Sequence, residues 1–109
     1  MKNIPNDATG DAIRQIIDYG VDLNKPMDVD FFVVIPNEKR GLSFIEELKN
    51  ENFTFSLEYD DEDKEWTCYC TKSMFLEHKD ITETERYLDS HAKQFDGYID
   101  GFGTFGNIN

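Results

Sequence analysis

One short segment of this sequence is rich in carboxylates, which can bind metal cations or attract basic proteins. Six acids lie within eight residues: Glu58, Asp60, Asp61, Glu62, Asp63 and Glu65. A calcium loop of the EF-hand type needs glycine at its sixth position and glutamate at its twelfth, and counting from Asp60 these are Glu65 and Thr71. A metal site is therefore the least favoured interpretation. Two others stay open: a solvated polar turn, and a docking surface for a basic segment of a partner protein.

Other reactive side chains are few. His78 and His91 are the only histidines, and neither has a serine or cysteine nucleophile in a recognisable motif nearby. Cys68 and Cys70 are two apart on a predicted strand, where parallel side chains disfavour a disulfide. We expect them to be small buried hydrophobic residues in a reducing compartment. The sequence thus predicts no catalytic residue, no bound metal and no cofactor.

The segment 98–104 has two glycines inside an apparent strand, where glycine marks a bend, a bulge or a close approach. A phosphate-binding loop would need a helix after these glycines, and only a few residues follow. Strict alternation predicts bare positions at Gly101 and Gly103, on which a large group should pack. It also predicts one face with four side chains: Tyr98, Asp100, Phe102 and Thr104.

Acidic residues outnumber basic ones by 23 to 11 in the 109-residue chain, which gives a net charge of −12. Such a surface repels phosphate, so direct nucleic-acid binding is disfavoured. Hydrophobic residues make up 39% of the chain, enough for one core. No run approaches the roughly 20 apolar residues of a membrane span, and the first residues lack the apolar core of a signal peptide. We expect one domain over residues 1–109, in the cytoplasm and without membrane contact.

Hydrophobic periodicity predicts seven elements in the order α, then β-α-β-β-α-β. The predicted helices cover 7–19, 38–50 and a segment from a capping box at Asp80-Ile81-Thr82-Glu83 to Gly97, and the predicted strands cover 29–35, 53–59, 65–71 and 98–104. This order is typical of an α+β, ferredoxin-like split β-α-β sandwich, with a four-stranded antiparallel sheet and two helices on one face. Right-handed crossovers place the first and third strands at the centre. The N-terminal helix is additional.

Two further details of the strands remain open at this stage. Trp66 lies on the cysteine side of its strand, which favours a core position; facing the open side of the sheet, it would be an anchor for a partner. Asp30 and Asp100 are acids inside strands that this topology makes neighbours. Each is expected to bond to the backbone or to pair with Lys72.

With these elements in order, the chain resembles the ribonuclease E inhibitor family RraB, regulator of ribonuclease activity B. No single motif is specific, but their order and spacing are. The matching features span nearly the whole chain: Gly10-Asp11, Asp22-Leu23-Asn24-Lys25-Pro26, Val29-Asp30-Phe31-Phe32 with Pro36, the hairpin residues Phe53, Glu58, Tyr59 and Trp66, then Lys72, Met74 and the tail Tyr98-Ile99-Asp100-Gly101-Phe102-Gly103-Thr104.

The resemblance implies a small acidic cytoplasmic protein without chemistry of its own, which binds an endoribonuclease of the ribonuclease E type, or its basic scaffold region, and dampens its activity. An alternative is a small ligand-binding or enzymatic ferredoxin-like domain that uses the open face of the sheet; it requires a concave pocket with polar groups of perturbed pKa. RNA binding is the third interpretation, and it requires exposed aromatic residues beside a basic rim.

Overall fold

The computed structural model describes residues 4–107; the first and last residues of the predicted domain, 1–3 and 108–109, lie outside the described part. Within it the elements are α1 (Ala8–Tyr19), β1 (Met27–Ile35), α2 (Glu38–Leu48), β2 (Thr54–Asp60), β3 (Glu65–Met74), α3 (His78–Ala92), a 3-10 turn (Lys93–Phe95) and β4 (Tyr98–Thr104). None of the helices in this range combines the length and apolar character needed to cross a membrane.

The four strands form one antiparallel sheet in the order β2-β3-β1-β4. β1 and β3 are therefore the central strands, while β2 and β4 form the two edges. This order confirms the α+β, ferredoxin-like split β-α-β arrangement predicted from the succession of elements. It also confirms the central placement that right-handed crossovers require.

The hydrophobic core lies between one face of the sheet and the three helices. Alternate residues of β1 point into it: Met27, Val29, Phe31, Val33 and Ile35. The helices add Ile13 from α1, Phe44 and Leu48 from α2, and Ile81, Leu88 and Ala92 from α3. Burying a phenylalanine or leucine in such a core stabilises the fold by about 1.5–3 kcal/mol. The opposite side of the sheet, called the open face below, carries the residues in between.

The additional helix α1 joins the helix layer and leaves the open face uncovered. It begins at Asp7, whose carboxylate accepts the Gly10 N–H at 2.7 Å, and ends at Gly20, whose φ of 93° is left-handed. Ile13 buries against the core. The Asp7 carboxylate also lies 2.9 Å from Nε2 of His78 at the start of α3. These contacts attach α1 to α3, and both predicted helix ends are confirmed.

α3 starts three residues earlier than predicted. Its N-cap is Glu77, so the prediction of Asp80 as the N-cap is wrong. Asp80 instead occupies the third helical position, where an acidic side chain stabilises the positive end of the helix dipole. Leu76 and Ile81 flank this turn with the spacing of a hydrophobic staple, and both are buried in the same core. The buried pair fixes the start of the helix, a tertiary effect that the capping pattern does not contain.

β4 contains a β-bulge, one of the three features that glycines inside a strand can mark. Its pairing with β1 skips Asp100, and Gly101 has a φ of 139°, which side chains rarely tolerate. Alternation shifts at the bulge, so Ile99 and Phe102 both face the core. The prediction that one face carries Tyr98, Asp100, Phe102 and Thr104 together is therefore wrong. Tyr98 lies on the open face.

Candidate functional site

The β2–β3 hairpin brings the predicted acidic cluster together at one end of the sheet. The Asp60 carboxylate accepts the backbone N–H of Glu62 at 2.9 Å, and Lys64 adopts a left-handed φ of 58°. These features make a tight turn in which Asp61, Glu62 and Asp63 are exposed. The turn thus holds three carboxylates in solvent, while Asp60 uses one oxygen to fix the backbone.

The two faces of the hairpin differ in character. Strand register places Glu58, Asp60 and Glu65 on the open face. Trp66 lies on the helix face, where its ring packs against Tyr59 with centroids 5.4 Å apart. The alternative in which Trp66 faces the open side is therefore wrong, because Trp66 pairs with the buried Ile35 of β1. Trp66 is half-buried and Tyr59 is 49% exposed, so this aromatic pair is partly accessible to solvent on the helix side of the hairpin.

Aromatic side chains occupy the centre of the open face. Phe32 of β1 and Tyr69 of β3 are opposite each other, and their rings meet edge-to-face with centroids 5.6 Å apart. Gly103 of β4 makes room for Phe32, because a Cβ at Gly103 would lie 3.2 Å from Phe32 Cζ. Phe32 is thus the large group expected above the bare glycine. Both rings are half-buried and present part of their surface to solvent.

Carboxylates surround these rings. At one end of β1, Asp28 is exposed and Asp30 accepts a hydrogen bond from Thr71 Oγ1 at 2.5 Å. Of the two alternatives left open for Asp30, pairing with Lys72 is wrong, because Lys72 lies on the helix face with Nζ 5.4 Å from the Phe53 ring centroid. On the open face, the carboxylate of Asp30 is thus hydrogen-bonded to a neutral hydroxyl group.

The charges of the acidic hairpin also act on Tyr98 in the last strand, β4. Partial burial, followed by the negative charges of Glu65, Asp100 and Asp63, raises the pKa of the Tyr98 hydroxyl. The Tyr98 side chain is 41% exposed on the open face. Tyr98 is therefore close enough to carboxylates of both the hairpin and β4 for their charges to act on its hydroxyl.

The open face carries no compensating positive charge along its strands. None of the described strand residues that point to this side is Lys or Arg; they are acidic, hydroxyl-bearing, aromatic or glycine, apart from Val34. Aromatic residues on β1 and β3 are the arrangement by which related sheets stack RNA bases. Here the rim is acidic where RNA binding needs it basic, so the surface suits a cationic partner.

The two histidines and the two cysteines have structural partners. His78 contacts Asp7, and His91 Nδ1 lies 3.2 Å from Glu47 Oε1. Cys68 and Cys70 are buried and unbridged, as predicted, with their sulfurs 3.9 Å apart. The contact between the two thiols, together with burial, raises the pKa of Cys70. Across residues 4–107, no group of three or more histidine, cysteine or acidic side chains is placed to hold a metal ion.

Sequence reasoning identified the acidic hairpin but missed the aromatic centre of the open face. The signal was present in the alternation of the central strands, which puts Phe32 out of phase with the core residues of β1 and Tyr69 out of phase with the two cysteines of β3. Alternation alone did not indicate a site, because the pairing of these two residues depends on the register between β1 and β3. Register is a property of the folded sheet.

Comparison with known proteins adds one result to this geometry. No curated protein sequence matches the chain. The family described as regulator of ribonuclease activity B matches residues 6–104, from just before α1 to the end of β4. The matched segment includes the acidic hairpin and every strand of the open face, so the chain belongs to the RraB family, regulators of ribonuclease activity.

Proposed function

We propose that this protein is a non-enzymatic regulator of RNA turnover that binds an endoribonuclease of the ribonuclease E type and inhibits it by protein–protein contact. The family match over residues 6–104 carries the proposal, because it covers nearly the whole chain. Regulation of a nuclease without chemistry requires a surface that recognises the nuclease or its basic scaffold region. The surface with the strongest electrostatic character is the acidic hairpin.

Charge supports a protein partner of basic character. The net charge of −12 raises the association rate with a basic surface and opposes contact with the RNA substrate itself. We propose as contact residues the acids of the hairpin together with the adjoining tryptophan: Glu58, Asp60, Asp61, Glu62, Asp63, Glu65 and Trp66. Inhibition would then follow from occupation of the nuclease, in the cytoplasm where RNA turnover takes place.

A pull-down joined to a cleavage assay tests the proposal. The tagged protein is incubated with host lysate at physiological salt, and the cleavage rate of a labelled RNA is measured with any ribonuclease recovered. We expect recovery of an endoribonuclease and a slower cleavage rate as the protein is added. Recovery of no RNA-decay protein, together with unchanged cleavage by a purified ribonuclease of the E type, would refute it.

The alternative of a ligand-binding or enzymatic domain on the open face gains no specific support. Two cavities of the described chain lie elsewhere: one is lined by α2 residues including Leu42, and the other lies between the end of α1 and the segment after β4. The pKa of the Tyr98 hydroxyl is raised, but this side chain is exposed and lines neither cavity. A surface of carboxylates and partly exposed rings spread over several strands suits a peptide better than a small molecule.

A further inference from the structure

The open face has the composition of a peptide-binding surface rather than that of a solvated one. It places the Phe32 and Tyr69 rings at the centre and the Tyr98 ring at the β4 edge, and carboxylates lie around them. Aromatic residues with a polar tip are enriched at protein interfaces, because each offers a large contact area at low cost in conformational entropy. α1 packs on α3 in the helix layer, so no helix of the described chain covers these rings.

We propose that the open face binds an extended, arginine- and lysine-rich segment of a protein partner. Its cationic side chains would lie on the rings of Phe32, Tyr69 and Tyr98 while they approach the surrounding carboxylates. The inference deepens the proposed function and rests on it in taking the partner to be a protein.

Charge complementarity selects this occupant over two others. RNA would bring phosphates against Asp28, Asp30 and Glu58, with no described strand cation on this face to neutralise them. A second copy of the chain would bring the same acids against each other, which opposes a symmetric pairing of open faces. A cationic segment meets attraction at every one of these positions.

The ring geometry favours arginine within that segment. A guanidinium group stacks flat on an aromatic face within about 6 Å of the ring centroid and donates to a carboxylate from its edge. Lysine provides a point charge and gains less from the ring. An extended segment also places alternate side chains on one side, so several of its cationic side chains can face the rings and acids of neighbouring strands together.

Two double variants with equal charge change make the test. Asp28→Asn with Glu58→Gln removes two negative charges from the open face, and Asp18→Asn with Glu83→Gln removes two from the helix layer; all four side chains are exposed. The probe is a fluorescein-labelled nine-residue arginine peptide, with a nine-residue lysine peptide for comparison. Affinity is measured at low salt, and NMR of the isotope-labelled protein locates the contact.

We expect the open-face variant to bind the arginine peptide about fivefold more weakly and the helix-layer variant to lose less than about twofold. Amide shifts should concentrate on β1, β3 and β4. Tyr69→Leu keeps apolar volume but removes a ring, so it should reduce the preference for arginine over lysine. Equal losses in both double variants, or shifts confined to the helix layer or to the hairpin turn, would overturn the inference. Equally tight binding of oligouridine, or dimerisation through the open face, would overturn it as well.

A parallel pull-down separates this inference from the proposed function. Normal capture and inhibition of the endoribonuclease by the open-face variant would refute the inference and leave the proposed function standing. Peptide binding at the open face by a protein that neither captures nor inhibits the endoribonuclease would refute the proposed function, while the surface would still be a site for cationic peptides.

Discussion

Gly101 and Gly103 are two positions apart in β4, but they are required for different physical reasons. Gly103 makes room for the Phe32 ring, whereas Gly101 adopts a φ of 139° at the bulge with nothing within 4 Å of an added Cβ. We expect Gly103→Val to destabilise the protein by about 1–3 kcal/mol through overpacking, and Gly101→Ala by about 1–2 kcal/mol through backbone strain. Urea unfolding measures both.

Phe32→Leu distinguishes the two causes in a double-mutant cycle. The shorter side chain should relieve most of the cost of Gly103→Val, because the clash involves the ring, but it should leave the cost of Gly101→Ala unchanged. Coupling between Gly101 and Phe32 as strong as that between Gly103 and Phe32 would contradict this division of roles.

Asp7 and Glu85 both take part in the contacts between α1 and α3, but their contributions to the free energy of unfolding change with pH in opposite directions. The Gly10 N–H bond and His78 lower the pKa of Asp7, so its contribution is present above the usual carboxyl range and is lost as pH falls through its folded pKa. Burial raises the pKa of Glu85, although the hydroxyl of Thr9 donates to it at 3.1 Å. The charged form of Glu85 therefore costs stability, and this cost appears as pH rises through its folded pKa.

We expect Glu85→Gln to stabilise the protein at pH 7 by about 0.5 kcal/mol, because the amide oxygen still accepts from Thr9 and no charge is buried. The gain should vanish at pH 3, where the carboxyl is protonated in both folded and unfolded chains. Asp7→Asn, which retains a capping side chain, is the control of opposite sign: it should destabilise at pH 7, and this cost should shrink as pH falls through the folded pKa of Asp7. Urea unfolding at the two pH values measures both, and a gain for Glu85→Gln that is as large at pH 3 would contradict the argument.

At the scale of elements, the hairpin turn should act on the rate of association more than on the final affinity. Asp61→Asn, Glu62→Gln and Asp63→Asn remove three exposed charges and leave the hydrogen bond from Glu62 N–H to Asp60 in place. Surface changes of this kind usually alter stability by only about 0.5 kcal/mol. We expect a slower on-rate with the ribonuclease, a nearly unchanged off-rate, and a difference that shrinks as salt rises.

Stopped-flow binding at several salt concentrations measures this effect. The control variant carries Asp18→Asn, Glu38→Gln and Glu83→Gln, three exposed acids of the helix layer, and it changes the net charge by the same amount. An unchanged on-rate at low salt for the hairpin variant would show that this segment is only a solvated turn.

At the scale of the whole molecule, the sequence was sufficient for the order of elements and therefore for the strand order β2-β3-β1-β4. The right-handedness of crossovers and the apolar content of β1 together leave few alternative strand orders. The position of the bulge at Asp100 and the start of α3 could not be predicted, because the first depends on strand register and the second on a buried pair formed only in the folded chain. The paired rings of Phe32 and Tyr69 were not predicted for the same reason, since their pairing depends on register. The hairpin acids, by contrast, are close together in the sequence, so their clustering could be seen without the fold.

The net charge of −12 should affect folding and binding in opposite directions when salt is added. Acids repel one another across a small molecule whose Cα radius of gyration is 14.3 Å, a distance not far above the Debye length of about 10 Å at 0.1 M salt. Raising sodium chloride from 20 to 200 mM should therefore raise the midpoint of thermal unfolding, since screening weakens self-repulsion. The same increase should weaken association with a basic partner by about tenfold or more, because the attraction is screened too. Calorimetry and binding titrations in the same buffers measure the two effects. Tighter binding at higher salt would show that apolar contact, not charge, dominates recognition.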